Sequence, residues 1–191
     1  MKRVLSIQDI SCIGKCSLTV ALPIISAMGI ETSILPTSIL STHTMFNDFT
    51  FRDLTDDMEP IKKHWQKEGF SFDAIYTGYL GSEKQITLVK DYFKTFGNTC
   101  KYIIVDPAMA DNGKLYSGFD KDFPLKMAKL CKYADVILPN ISEAAFMTGM
   151  PYPGENASNE CIKDLLLSLA KLGSKKIVIT GVESADHKFG F

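Results

Sequence analysis

The sequence predicts a single α/β domain, residues 1–191, with a mainly parallel sheet and helices on both of its faces. Short β-branched runs alternate with helical patterns along the whole chain. Strand–helix–strand units of this kind form right-handed parallel crossovers, which place helices on the faces of one sheet. The length suits one domain, and no linker, repeat or low-complexity segment divides the chain.

Each element has a signal of its own. Helices are predicted where apolar residues recur at positions three and four apart, and in most cases a glycine follows as a stop signal. The predicted strands are residues 3–7, 32–40, 72–77, 102–105, 136–138 and 176–180. The predicted helices are residues 18–28, 58–67, 82–96, 125–131, 140–148 and 162–172. Two of these helices open with the spacing of a capping box, at Ser82 with Gln85 and at Asn140 with Glu143.

Composition excludes several classes of protein. The formal net charge is −1 and the basic residues are spread along the chain, so we expect no nucleic-acid partner. No window reaches the roughly 20 apolar residues of a membrane helix, and the apolar run at the amino terminus is too short for a signal peptide. The five cysteines are odd in number and lie mostly in apolar segments, which is typical of reduced thiols in a cytoplasmic protein.

Polar residues follow the predicted strands. In open α/β sheets ligands bind beyond the carboxyl ends of the strands, so these residues are the first candidates for a site. They are Asp9, Ser11, Ser41, His43, Thr44, Tyr79, Asp106, Asn140, Glu143 and Thr180.

Two common nucleotide motifs are absent from the sequence. A Walker loop needs a glycine five residues before Gly14-Lys15, where Asp9 stands, and Cys16 replaces the Ser or Thr that would bind magnesium. No Gly-x-Gly-x-x-Gly follows the first strand, which argues against a Rossmann dehydrogenase.

Five short motifs occur in order: SIQDIS at residues 6–11, LSTHT at 40–44, TGYLGS at 77–82, VDPAM at 105–109 and PNISE at 139–143. In sequence and spacing they resemble the pyridoxal and pyridoxamine kinases of the ribokinase superfamily. The resemblance implies a ribokinase-like three-layer fold and ATP-dependent phosphorylation of the hydroxymethyl group of pyridoxal, pyridoxamine or pyridoxine. It also implies ATP and Mg²⁺ as cofactors, allows for a monovalent cation, and leads us to expect a homodimer.

The resemblance also implies roles for individual residues. Those expected to line the vitamer pocket are Asp9, Ser11, Ser41, His43, Thr44 and Tyr79. Many relatives have Ser at the position of Asp9, and a carboxylate there would favour the protonated pyridinium form of the ring. Those expected on the nucleotide side are Asp106, Asp111, Asn140, Glu143 and Thr180, with Asp106 and Glu143 near the metal.

The residues by themselves leave other interpretations open. Asn140 and Glu143 could serve only as a capping box, and Asp106 and Asp111 could be turn residues. Tyr79 could be a core or interface residue.

The family's catalytic Asp lies in a Gly-x-Gly-Asp segment that opens a helix, and the sequence contains no such segment. We therefore expect a chain truncated at the C-terminus and catalytically incomplete, and we assign no catalytic residue, Asp186 included, because it lacks the glycines and a following helix. The alternatives are a hydroxymethylpyrimidine kinase of thiamine synthesis and a non-catalytic fragment that binds B6 vitamers.

Overall fold

The computed structural model describes residues 1–154, 157–183 and 189–190, so Asp186 lies outside the described residues. The chain has an α/β fold with a mostly parallel central sheet, as the sequence predicts. It divides into two compact units, Met1–Ile103 and Ile104–Phe191. None of the helices in the described ranges has the length and apolar character needed to cross a membrane.

The first unit contains four strands and three helices. In the sheet its strands have the order β3-β2-β1-β4, in which β1 pairs parallel with both β2 and β4 and only β3 is antiparallel. The strands are β1 (Arg3–Ile13), β2 (Glu31–Thr42), β3 (Phe51–Asp53) and β4 (Ala74–Thr77). The helices are α1 (Leu18–Ala27), α2 (Thr55–Lys67) and α3 (Glu83–Phe96), and a 3₁₀ turn at Gly97–Thr99 follows α3.

Strand β1 is six residues longer than the predicted strand 3–7, which was wrong at its carboxyl end. Pairing with β4 stops at Ile7–Thr77, but pairing with β2 continues as far as Ile13–Thr42. Asp9 and Ser11 therefore lie inside β1, and Ser41 lies inside β2, rather than after their strands. Local sequence favoured a stop at the polar residues, and the partner strand overrides that preference.

Helices α2 and α3 form the aromatic part of the first unit's core. The predicted apolar face of α3 is confirmed, since Ile86, Val89, Phe93 and Phe96 are all buried. The Trp65 ring of α2 meets the rings of Phe72, Tyr92 and Phe96 edge-on, with centroids 5.7, 6.2 and 6.5 Å away.

Helix α1 forms where the apolar spacing predicts a helix, but it buries little of its surface. Leu18 is its only fully buried residue, and Leu22, Ile24 and the flanking Met28 are exposed.

The second unit contains a three-stranded parallel part of the sheet, in the order β5-β8-β9, and three helices. Its strands in the sheet are β5 (Tyr102–Val105), β8 (Val136–Ile137) and β9 (Lys176–Ile177). The hairpin strands are β6 (Ala110–Asp111) with β7 (Lys114–Leu115), and β10 (Val182–Glu183) with β11 (Phe189–Gly190). The helices are α4 (Phe123–Cys131), α5 (Ile141–Thr148) and α6 (Asn159–Ala170).

The predicted end of α5 is confirmed, whereas the predicted strand after α6 is wrong in length. Gly149 ends α5 in the left-handed conformation, with φ of 71°, as its stop signal predicts. The predicted last strand, 176–180, is wrong in length: β9 ends at Ile177, and Thr180 forms only an isolated bridge with Asn140. The strand pair β10–β11 follows it, so it is also not the last strand.

Candidate substrate and nucleotide sites

Asp9 lies at an irregularity in the sheet of the first unit. Gln8 pairs with Pro36 and Ile10 pairs with Ile39, so Asp9 stands opposite two residues of β2, Thr37 and Ser38. Such irregularities turn a side chain out of the regular alternation of a strand and are frequent beside active sites. The extra residue lies in β2, and Asp9 lies opposite it within a buried part of β1.

The carboxyl group of Asp9 is buried and only partly satisfied. Only 5% of the residue's surface is exposed. Ser11 donates its hydroxyl to Oδ2 over 3.4 Å, whereas Oδ1 has no hydrogen-bond partner among the described residues. Burial raises the pKa of Asp9 above its ordinary value, and the hydroxyls of Ser17 and Ser11 oppose that shift. An unpartnered buried oxygen of this kind is costly, and a ligand donor would relieve the cost.

Tyr79 lies on the segment that follows β4 and is half-buried. Burial raises the pKa of its phenol, and the charges of Asp9 and Asp53 raise that pKa further, so its ring lies within electrostatic reach of both carboxylates. Gly78, directly before it, packs against Gln8: a Cβ there would come within 2.9 Å of the Gln8 Oε1 atom. The structure therefore brings Tyr79 and Asp9 into one neighbourhood.

The other three residues expected in the vitamer pocket lie at the end of β2. The Ser41 hydroxyl accepts a hydrogen bond from Thr50 N (2.9 Å) and closes the loop that leads to β3. The His43 ring packs edge-on against Phe46 and also fills the space beside Gly14, where a Cβ would lie 2.5 Å from His43 Cδ2. Thr44 is exposed in the turn that follows.

The sequence reasoning missed Gln85 as a member of this region. It is 1% exposed, and its side-chain amide nitrogen lies 3.0 Å from Thr37 O, 2.9 Å from Thr55 Oγ1 and 3.1 Å from Asp53 Oδ1. Its side-chain oxygen accepts a hydrogen bond from Gly81 N over 2.7 Å. The predicted capping box is therefore half correct: Ser82 accepts from Gln85 N, but the Gln85 side chain bonds elsewhere.

In the second unit, Asn140 and Glu143 form the capping box that their spacing predicts. The Asn140 amide oxygen accepts from Glu143 N (2.9 Å), and Glu143 Oε2 accepts from Asn140 N (2.8 Å). The other Glu143 oxygen accepts from Met109 N (3.1 Å), and the Asn140 amide donates to Ala110 O (2.7 Å). These bonds fix both side chains at the start of α5.

Asp106 directly follows β5, and Glu143 lies in the first turn of α5, which follows the neighbouring strand β8; the two carboxylates are near enough to influence each other's charge. Burial raises the pKa of Glu143 to about 8, and the charge of Asp106 adds to the rise, while backbone amides of Asn140, Met109 and Ala110 oppose it. The same two carboxylates help to raise the pKa of the buried Cys131 thiol to about 12, after burial itself. The surroundings of Glu143 therefore favour the addition of positive charge.

The donor set here fits Mg²⁺. Mg²⁺ keeps several waters and usually binds one or two protein carboxylates together with substrate phosphates. Asp106 and Glu143 supply two carboxylates, and the described residues hold no group of three or more His, Cys, Asp or Glu side chains that would form a complete protein cage. Burial and the charge of Asp106 disfavour the ionisation of Glu143, so the pair suits a hydrated cation that supplies positive charge and is shared with phosphate.

The hairpin β6–β7 carries Asp111 and is held by the start of α5. Besides the bonds from Asn140 and Glu143, the Ser142 hydroxyl accepts from Gly113 N over 2.8 Å. Asp111 is exposed, and its carboxylate accepts from Asn112 N over 2.9 Å, so the turn interpretation of this residue describes part of its role.

Tyr116 is a second residue that the sequence reasoning missed. Burial raises the pKa of its phenol to about 12, and the charges of Glu143, Asp111 and Asp106 contribute to the rise. The Tyr116 phenol therefore lies within electrostatic reach of all three carboxylates. Thr180 lies beside the start of α5, because its amide donates to Pro139 O (2.9 Å) in the bridge with Asn140.

Comparison with known proteins identifies the family. Residues 31–189 match the model of the phosphomethylpyrimidine kinase family. The chain belongs to this family. Phosphomethylpyrimidine kinase family members with solved structures share its fold over nearly its whole length.

One such structure, from Bacteroides thetaiotaomicron and described as a phosphomethylpyrimidine kinase in a crystal form with pyridoxal, is 42% identical with a TM-score of 0.91. The match covers 97% of this chain and 64% of the Bacteroides thetaiotaomicron chain. Pyridoxal kinase from Lactobacillus plantarum is 35% identical with a TM-score of 0.88, and the respective shares are 97% and 66%.

Among curated relatives, pyridoxal kinase PdxY of Actinobacillus pleuropneumoniae is 27% identical over 94% of this chain and 63% of its own length. A hydroxymethylpyrimidine/phosphomethylpyrimidine kinase of Haemophilus influenzae is 29% identical over 64% of this chain and 43% of its own. The chain thus spans less than two thirds of the length of each of these relatives.

Proposed function

We propose that this chain is part of an ATP-dependent kinase of B6 vitamers. Such a kinase phosphorylates the hydroxymethyl group of pyridoxal, pyridoxamine or pyridoxine. The observation that carries the proposal is the buried Asp9 oxygen without a partner among the described residues. A carboxylate only accepts hydrogen bonds, so the group that satisfies it has to be a donor. The protonated ring nitrogen of a pyridinium supplies one N–H and a positive charge.

Tyr79 is the second member of the proposed vitamer pocket. Its half-buried ring, coupled electrostatically to Asp9, offers an aromatic surface for the flat pyridine ring. Ser11 orients the Asp9 carboxylate through Oδ2 and leaves Oδ1 for the ligand. We assign Ser41, His43 and Thr44 to the rim of the same pocket, on the neighbouring end of β2.

Similarity to proteins that handle pyridoxal supports this assignment. The Bacteroides thetaiotaomicron structure at 42% identity was crystallised with pyridoxal, and the Lactobacillus plantarum structure at 35% identity is a pyridoxal kinase. Hydroxymethylpyrimidine kinase, favoured by the description of the family model, is the less favoured alternative, because its curated relative matches over a shorter part of the chain.

On the nucleotide side we propose that Asp106, Asp111, Asn140, Glu143 and Thr180 bind ATP with Mg²⁺, in keeping with a family of kinases. Asp106 and Glu143 would hold the ion, and Asn140 fixes Glu143 through the capping box. Mg²⁺, when bound, supplies positive charge against the phosphate oxygens. The capping bonds hold the Glu143 carboxylate in one orientation, so the side chain does not have to reorient when Mg²⁺ binds.

We further propose a cytoplasmic homodimer built on a single ribokinase-like domain. The five free thiols suit a reducing compartment, and the exposed, uncharged surface of α1 suits association with a second copy. The 97% of the chain covered by solved family members supports one domain.

Equilibrium binding tests the proposal. Calorimetric titrations of the purified chain with pyridoxal and with hydroxymethylpyrimidine should show tighter binding of pyridoxal. ATP with Mg²⁺ should bind equally well to the wild type and to an Asp9→Asn variant. Tighter binding of hydroxymethylpyrimidine would transfer the assignment to thiamine synthesis. Binding of neither ring compound would contradict the vitamer pocket.

A further inference from the structure

Gln85 connects the two sides of the proposed vitamer pocket. One side is the irregular part of β2 opposite Asp9, where Gln85 donates to the carbonyl oxygen of Thr37 (3.0 Å). The other side is the segment that carries Tyr79, where Gln85 accepts from the amide of Gly81 (2.7 Å). One buried side chain thus joins two backbone segments that are far apart in the sequence.

Thr37 adds a second link between the same two segments. Its hydroxyl donates to the carbonyl oxygen of Tyr79 over 3.2 Å. The Tyr79 segment is therefore held at two points directly after the Tyr79 Cα, at the Tyr79 carbonyl by Thr37 and at the Gly81 amide by Gln85. Because Gln85 also binds Thr37 through the main chain, the two links act as one unit.

Asp53 and Thr55 fix the orientation of the Gln85 amide. Asp53 accepts hydrogen bonds from Thr55 N (2.8 Å) and from the Thr55 hydroxyl. Thr55 Oγ1 and Asp53 Oδ1 both accept from the Gln85 nitrogen. The nitrogen end of the amide therefore faces three acceptors, and the oxygen end has to face Gly81. A flipped amide would place the NH₂ group against the Gly81 N–H and lose the favourable contacts at both ends.

We propose that Gln85 is a positioning residue that holds Tyr79 beside Asp9 and thereby sets the affinity for the vitamer ring. This proposal rests on the proposed function for the identity of the ligand, but the fixed position of the Tyr79 segment is a property of the protein without ligand. Small displacements of such a segment are costly, because ligand contacts depend on side chains that neighbouring bonds hold in place.

The test compares Gln85→Met with Ser82→Ala. Gln85→Met keeps the length of the side chain and removes every polar contact, whereas Ser82→Ala removes only the cap of the same helix, the bond from Gln85 N. We expect Gln85→Met to weaken pyridoxal binding about tenfold or more in calorimetric titration, and Ser82→Ala to change it by less than about twofold. Equal effects of the two variants on affinity would overturn the proposal.

A double-mutant cycle with Tyr79→Ala identifies the route of the effect. If Gln85 acts through Tyr79, Gln85→Met should cause little further loss of pyridoxal affinity in the Tyr79→Ala background. A full additional loss in that background would overturn the proposal. Should Gln85→Met fail to fold, Thr37→Val takes its place in the cycle, since it removes only the bond to the Tyr79 carbonyl.

Amide hydrogen exchange without ligand keeps the two proposals separate. Gln85→Met should accelerate exchange at residues 79–81 relative to the rest of the first unit, and Ser82→Ala should accelerate it mainly in the first turn of α3. If the wild-type chain binds no pyridoxal, the proposed function fails, and the exchange pattern still decides whether Gln85 holds the Tyr79 segment. Unchanged exchange at residues 79–81 would contradict that role.

Discussion

Asn140 and Glu143 each accept a hydrogen bond from the backbone amide of the other, over 2.9 and 2.8 Å. The two residues proposed for the nucleotide side are therefore also the cap of α5. The capping-box interpretation of their spacing is confirmed, and the nucleotide role stays a prediction for the same atoms, because the cap bonds hold the Glu143 carboxylate near Asp106.

Asn140→Ala should lower the free energy of unfolding by about 1–2 kcal/mol, the upper part of the range for a lost N-cap. The loss should be large because Asn140 also donates to Ala110 O, which holds the hairpin. Ser158→Ala, which removes the exposed cap of α6, is the matched control and should cost less. Chemical denaturation of both variants measures the difference, and an equal loss would show that the hairpin bond contributes nothing.

Glu143→Gln should reduce the Mg²⁺-dependent part of ATP affinity at least about tenfold, because electrostatic contacts of this kind are worth several kcal/mol. The free energy of unfolding should change by less than about 1 kcal/mol. Gln loses one of the two accepted backbone bonds, but it also removes a carboxyl group whose ionisation is disfavoured by burial and by Asp106. Calorimetry with and without Mg²⁺ measures the first effect. An unchanged Mg²⁺ dependence would exclude Glu143 from the metal site, and Asp164→Asn provides a control at an exposed carboxylate of α6 that is assigned to neither site.

Asp9→Asn should weaken pyridoxal binding by about 1.5–3 kcal/mol, the range for a hydrogen bond to a charged group, and leave ATP affinity unchanged. It should also stabilise the ligand-free protein at pH 7. The native pKa of Asp9 is raised, so the native state binds more protons than the unfolded state at pH values above the ordinary 3.8.

The unfolding free energy of the wild type therefore loses a contribution as pH rises through the window from 3.8 to the native pKa. The stability advantage of Asp9→Asn should grow through that window and then stay level. Denaturant unfolding of both proteins across pH measures it. A variant less stable than the wild type at pH 7 would contradict the burial cost assigned to Asp9.

Gly113→Ala should destabilise the chain more than Gly149→Ala, although the two glycines have nearly the same φ, 70° and 71°. The left-handed conformation costs an alanine about 1–2 kcal/mol at either position. At Gly149 a Cβ meets nothing within 4 Å, whereas at Gly113 it would lie 2.5 Å from the Tyr152 ring. Thermal unfolding of both variants measures the excess at Gly113. Equal losses would mean that the Tyr152 ring moves away at no cost.

Local signals predicted the elements that depend on neighbouring residues. Strand β5 was predicted with its observed bounds, and the cap at Asn140 and the stop at Gly149 were predicted because each acts within one turn of helix. The end of β1 was missed because its last residues are held by β2, which is about 30 residues away along the chain.

The same distinction applies to the candidate sites. Asp9, Tyr79, Asp106 and Glu143 could be proposed as site residues because polar residues near strand ends stand out in a sequence. Gln85 was missed because its partners, Thr37 and Thr55, lie 48 and 30 residues away and no local pattern indicates them. Tyr116 was missed for a similar reason, since its three carboxylate neighbours come together only in the fold.

The position of Trp65 has a practical consequence for studies of folding. It is the only tryptophan of the chain and lies in the aromatic core of the first unit. Tryptophan fluorescence therefore reports the loss of structure around α2 and α3, whereas far-ultraviolet circular dichroism reports both units. Coincident denaturation curves from the two signals would indicate one cooperative transition, and separate midpoints would show that the residues around Asp9 and those around Glu143 unfold independently.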